Sequence, residues 1–125
     1  GWRPGDGRAH IAWQVMHIGV TEELFATERL RPENSGKFQD QWPRFRGGST
    51  PDDNIPSGED IRQLLQSARD SLLDTLTSFD DSHLGTVVFP QRDWSLRMVL
   101  QVLCWHESHH QGQAHITWNL YQAQA

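Results

Sequence analysis

Trp105-His106-Glu107-Ser108-His109-His110-Gln111-Gly112-Gln113 is the stretch from which the chain is best read. His106 and His110 are four residues apart. On a helix that spacing turns about 40° and rises about 6 Å, so both imidazoles leave the same face. Two nitrogens so placed can share one divalent metal ion.

Working outward, the three-four stripe of this last segment runs Leu96, Val99, Leu103, His106, His110, Gln113, Thr117, Leu120. It begins apolar and turns polar where a bundle core should stay apolar. Inward imidazoles cost desolvation unless they find partners. An earlier stripe is interrupted in the same way, as Trp13, His17, Val20, Leu24. Three histidines from two helices therefore sit on stripes that should face each other. Three ligands with one open position are the usual catalytic arrangement for zinc, and imidazole also suits nickel and iron.

The other chemistry-bearing residues carry less. His109 lies about 60° from His106 and about 100° from His110, so it should be peripheral. His115 and His10 read as surface or rim residues, and His83 as a loop residue. Cys104 sits about 160° round the helix from His106 and should point away from the metal, as a buried inert thiol. Residues 106–110 fit the His-Glu-x-x-His pattern of zinc peptidases. The downstream residues do not support that reading. Gly112 and His115 are out of register with the extended motif, and no acid follows His110.

The remaining chain organises round these stripes. Residues 1–9 read as coil. A helix is expected over 10–30, with Glu22, Glu23, Glu28 and Arg29 on its wet side and end. Residues 31–56 hold Pro32, Gly36, Pro43, Gly47, Gly48, Pro51 and Pro56, a long connection with Phe38, Trp42 and Phe45 to pack it down. It is long enough to return the chain to the starting end, which would leave its flanking helices parallel. Ser57 with Asp60 signals an N-cap, and Ile61, Leu64, Leu65, Ala68, Leu72, Leu76 and Phe79 mark a helix over 57–79. Asp93 or Ser95 caps the last helix, over 95–121. Thr86–Phe89 alternates weakly and is too short to build a sheet.

Composition sets the outer limits. The chain has 125 residues, which suits a single domain. A net charge of −5 without a basic run argues against nucleic acid or an anionic membrane as partner. One cysteine allows no internal disulfide and makes a cytoplasmic setting the expectation. No apolar run approaches membrane-spanning length.

Trp94-Ser95-Leu96 followed by His106-Glu107-Ser108-His109-His110-Gln111-Gly112-Gln113 resembles the signature of the DinB-like (DinB/YfiT) metal-binding four-helix-bundle superfamily. Ile11-Ala12-Trp13-Gln14-Val15-Met16-His17-Ile18 is similar to that family's second helix, where its first metal ligand sits. The resemblance covers nearly the whole chain. It implies an all-α bundle with a long crossover between helices two and three, in line with the 31–56 connection. Its ligands, carried over by position, are His17, His106 and His110. In such proteins a first helix precedes the coil that begins this chain, so the resemblance implies that the given sequence lacks the first of the usual four helices. The expectation is an incomplete bundle: a piece of a longer chain, a homodimer formed through the exposed groove, or a chain that needs its natural N-terminal segment. The alternative is that Trp2, Phe38 and Trp42 plug the gap.

The family's activities imply a metal-dependent transferase for a small-molecule thiol and an electrophile, as in bacillithiol transferases and mycothiol-dependent isomerases. The implied cofactor is a divalent metal ion, zinc or nickel first and iron after them. Glu107 is a weak catalytic candidate, as a proton carrier or an orienting group. Arg44 and Arg46 are candidates to receive a substrate carboxylate, against a plainer role as solvated loop charges. Two alternatives stay open: a hydrolase that uses metal-bound water, and a non-catalytic metal-binding bundle.

Overall fold

The computed structural model describes residues 1–124. Its helices are α1 (Ile11–Leu24), the short α2 (Trp42–Phe45), α3 (Gly58–Leu76) and α4 (Leu96–Gln122). A two-stranded antiparallel hairpin, β1 (Val87–Phe89) and β2 (Trp94–Ser95), precedes α4. The all-α expectation holds. The Thr86–Phe89 segment nevertheless finds a partner, pairing Val87 with Ser95 and Phe89 with Trp94. Asp93 makes the turn in the left-handed region at φ 53°, a conformation that Asp tolerates better than most residues.

Helix α1 is the axis of the molecule. It packs on α3 along one side and on α4 along another, so ten of its 14 residues are buried. This explains why Glu22 and Glu23, assigned to the wet side from sequence, are buried at 6 % and 2 % exposure. Glu22 accepts two hydrogen bonds from Arg69 of α3, at 3.1 and 2.7 Å. Glu23 accepts from the backbone N–H groups of Lys37 and Phe38 and from the Trp42 indole, all between 2.8 and 3.2 Å. A buried carboxylate with that many donors anchors the crossover loop to α1.

The loop returns the chain as expected. Gly19 meets Leu64, Glu22 meets Arg69, and Thr75 donates to the Ala26 carbonyl, so α1 and α3 ascend together. Helix α4 runs antiparallel to α1, since His17 meets His106 while Gln14 meets His110. Within the crossover, Trp42 and Phe45 enter the core beside Trp13, Met16, Val20 and Leu64. Phe38 packs against the same cluster. A second cluster of Phe25, Leu30, Leu72, Phe89, Leu96 and Val99 closes the other end.

Helix ends follow their sequence signals. Ser57 and Asp60 form a reciprocal capping box on α3, and the Ser95 hydroxyl accepts from Met98 N on α4. The carbonyls of Thr86 and Leu84 take two further N–H groups at the α4 start. Helix α1 does not continue regularly to Leu30. It widens into a π-helical turn over Phe25–Arg29, closed by Leu30 N donating to the Phe25 carbonyl. His10 is not a rim residue. It is 1 % exposed and caps α1, with Nδ1 accepting from Trp13 N. Its Nε2 must then carry the proton, and it donates to the Asp52 carbonyl at 2.9 Å.

Two expectations about α4 need correction. Cys104 is exposed, not buried, on a face of the helix that it shares with the exposed Gln101, Trp105 and Ser108. Leu120 is 47 % exposed, because the inward stripe ends at Thr117. Ile116, Trp118 and Tyr121 are exposed with it, and Trp2 sits against Tyr121 at a ring separation of 5.8 Å. Of the three proposed plugs, Trp42 is buried, Phe38 is half-buried and Trp2 only lies across the end of α4. Among the described residues, no helix is long and apolar enough to cross a membrane.

The α1–α3 contact depends on Gly19. A Cβ there would fall 2.1 Å from Leu64 Cδ2, a side chain only 1 % exposed. Gly19→Ala gains roughly 1 kcal/mol of helix propensity, but overpacking costs roughly 1–3 kcal/mol. A net loss of stability is expected, read as a lower Tm. An unchanged or higher Tm would show that Leu64 has room to move.

Candidate metal centre

His17, His106 and His110 each present a ring nitrogen, and all three atoms lie within 4.8 Å of one another. Two helices build the group. Helix α1 supplies His17, and α4 supplies His106 and His110 from successive turns. Their rings pack at centroid separations of 4.5–4.8 Å. His17 and His110 are buried, and His106 is half-buried.

The hydrogen bonds fix the tautomers. His17 Nδ1 lies 2.6 Å from the Phe45 carbonyl oxygen. A carbonyl can only accept, so Nδ1 carries the proton and Nε2 offers a lone pair. His110 Nδ1 faces the Gln14 side-chain oxygen in the same way, which frees its Nε2. His17 Nε2 in turn points at His106 Nε2 across 3.0 Å. The hydrogen bonds to carbonyl oxygen are the usual support for metal-bound histidine. Trp13 stiffens the arrangement, stacking on His17 at 4.6 Å while its indole N–H reaches the Arg44 carbonyl and the Ser49 hydroxyl. Three neutral imidazoles, two of them with protons directed outward, fit a divalent cation.

Burial is also the main reason these rings resist protonation. The pKa values of His106 and His110 are pushed down from 6.5 to about 4, first by desolvation and then by the neighbouring His17. Burial lowers His17 as well, against the opposing pull of the Phe45 carbonyl. In the unfolded chain these groups return to about 6.5. The unfolded state therefore binds more protons between about 6.5 and about 4. Their contribution to stability is full above the upper value and is lost as pH falls through the lower one. Metal-stripped protein should show its steepest fall in Tm across that window, tested by melts from pH 8 to pH 4. A flat profile there would mean the rings are not desolvated.

Other sequence-marked residues lie elsewhere. Glu107 turns to α3. It pairs with Arg69 at 2.8 Å and accepts from Gln111 at 3.0 Å, so its carboxylate is engaged away from the imidazoles. Arg69 thereby bridges Glu22 and Glu107, one from each flanking helix. His109 is exposed and stacks on Trp105 at 4.9 Å. Arg44 is no free receptor. Asp52 grips its guanidinium at 3.0 and 2.9 Å and holds it charged, and that Arg holds the Asp52 carboxyl below its ordinary range.

Arg46 does reach a site. It helps line a cavity of about 340 Å³ that opens beside His17 and His106. Arg29 and Arg92 line the same cavity. Sequence reasoning missed both, because their convergence is made by the π-turn and the β1–β2 turn.

A family model described as the DinB superfamily matches residues 1–114. No curated protein and no solved structure matches the chain.

Proposed function

The chain belongs to the DinB superfamily, and on that footing we propose that it is a metal-dependent transferase for a low-molecular-weight thiol, with His17, His106 and His110 as the metal ligands. The observation that carries the proposal is the open-sided group of three imidazoles beside a lined cavity. An all-imidazole donor set suits zinc or nickel, and iron after them. When bound, such an ion supplies a positive charge that favours thiolate over thiol at neutral pH.

The chain's own residues supply orientation and shelter. The Phe45 carbonyl and Gln14 hold two of the rings with their protons directed outward. Keeping the rings neutral keeps all three available as ligands at neutral pH. Val20, Phe25, Phe89, Trp94 and Leu103 wall the adjoining cavity with apolar surface that would limit water beside a reacting sulfur. Glu107 enters as a positioning residue, holding α4 to Arg69.

Turnover tests the reading. Metal-replete protein should consume an electrophile such as monochlorobimane only when a small cysteinyl thiol is present, and His110→Ala should abolish that rate. Ester turnover without thiol would move the assignment to metal-assisted hydrolysis. Inertness of the metal-replete protein across a broad thiol and electrophile panel would favour a binding bundle.

A further inference from the structure

The cavity beside His17 and His106 is lined by three arginines and, among the described residues, by no acidic residue. That is notable in a chain with 16 acidic residues against 11 Lys and Arg. The three arginines come from three separate segments: the π-turn, the crossover loop, and the turn between β1 and β2. Two of the three lie against aromatic rings. Arg29 sits 4.5 Å over the Phe89 ring, and Arg92 sits 5.3 Å from the Trp94 ring centroid.

Arg46 and Arg92 are exposed, and Arg29 is half-buried. Among the described residues, Arg29 Nε is buried without a hydrogen-bond partner, and the one ion pair of Arg29 is with the adjacent Glu28 at 3.3 Å. Among the described residues, neither Arg46 nor Arg92 is ion-paired with a carboxylate. Arg44, two residues from Arg46, is fully engaged by Asp52. A buried donor without a partner carries a desolvation cost. Guanidinium groups match the oxygens of carboxylate and phosphate with paired, charge-assisted hydrogen bonds. The π-turn adds to the case, since such turns often mark functional positions, and here it carries Arg29 to the cavity wall.

We propose that Arg29, Arg46 and Arg92 form the receptor for an oxyanion, the carboxylate or phosphate of a second substrate whose flat apolar body lies against Phe25, Phe89 and Trp94. The catalytic use of this subsite rests on the transferase reading; the binding itself does not. A volume of about 340 Å³ suits a small molecule of one ring and an acidic group.

Titration calorimetry on metal-replete protein tests this with three probes: benzoate, phenyl phosphate, and benzamide as the uncharged control. At least one anion should bind at least about tenfold more tightly than benzamide, and comparison of the two anions identifies the preferred oxyanion. Arg46→Gln and Arg92→Gln should each weaken the preferred anion about tenfold, with metal content unchanged. Arg29→Lys, which keeps charge and bulk but loses the planar fork, should weaken it less. The same arginine dependence should persist in metal-stripped protein, which separates this receptor from direct coordination of the probe to metal. Equal binding of benzamide and benzoate, no binding of either anion, or indifference to the arginine substitutions would each overturn the proposal. Arginine-dependent binding without thiol turnover would leave the subsite standing and reject the transferase reading alone.

Discussion

His110→Ala is expected to lower divalent-metal affinity by more than about a hundredfold, while His109→Ala leaves it near wild type. Loss of a supporting partner outside the ligand set already costs roughly 10–100-fold in typical metal sites. Loss of one of three donors removes more. His110 faces His17 and His106 with its outward proton held by Gln14. His109, one residue earlier, is exposed and stacks on Trp105. Chelator competition on the two variants makes the comparison. Equal affinities, or a larger loss for His109→Ala, would mean the ligand set is misassigned.

Glu23→Ala should be the most damaging single truncation of the loop anchor. The side chain is 2 % exposed and accepts from two backbone N–H groups and the Trp42 indole. Its removal leaves the buried indole N–H and two part-buried backbone N–H groups without a partner, and a fully buried donor so left costs roughly 1–3 kcal/mol. A loss of about 3 kcal/mol is expected, or a fall of about 10 °C in Tm for a domain of this size. The damage should reach the metal centre, because the same loop carries the Phe45 carbonyl that holds His17. Metal affinity should therefore fall together with Tm. Glu23→Gln, which keeps one acceptor oxygen, should fall less on both. A Glu23→Ala protein that melts like wild type would show that water replaces the carboxylate without cost.

The histidine group was legible because its signal is periodic. Leu96, Val99 and Leu103 set the inward face of α4, and His106 and His110 continue it without a break. His17 interrupts a matching stripe on α1. The cap at Ser57 was legible for a similar reason, since its partner lies three residues away, whereas the α4 cap stood between Asp93 and Ser95 until the structure gave it to Ser95. What failed depends on distant partners. Glu22 reads as a surface charge until Arg69, 47 residues on, is placed beside it. Glu23 reads likewise until the loop backbone wraps it. His10 looked peripheral because an imidazole is an uncommon N-cap. Leu120 reads as buried because an inward stripe in sequence does not say how far the neighbouring helices extend, and Cys104 because the sequence does not say which other faces of α4 are covered. Arg44 and Arg46 are indistinguishable as loop charges, and only the fold gives Asp52 to the first and the cavity to the second.

X-ray absorption at the K-edge of the bound metal tests the central claim most directly. Protein purified without chelator should carry about one divalent ion per chain. Its spectrum should show three imidazole nitrogens at about 2.0–2.1 Å if the ion is zinc, and His17→Ala, His106→Ala and His110→Ala should each remove one of them or the metal itself. A sulfur scatterer from Cys104, a first shell of carboxylate and water oxygen, or a full imidazole shell that survives loss of His17 would contradict it.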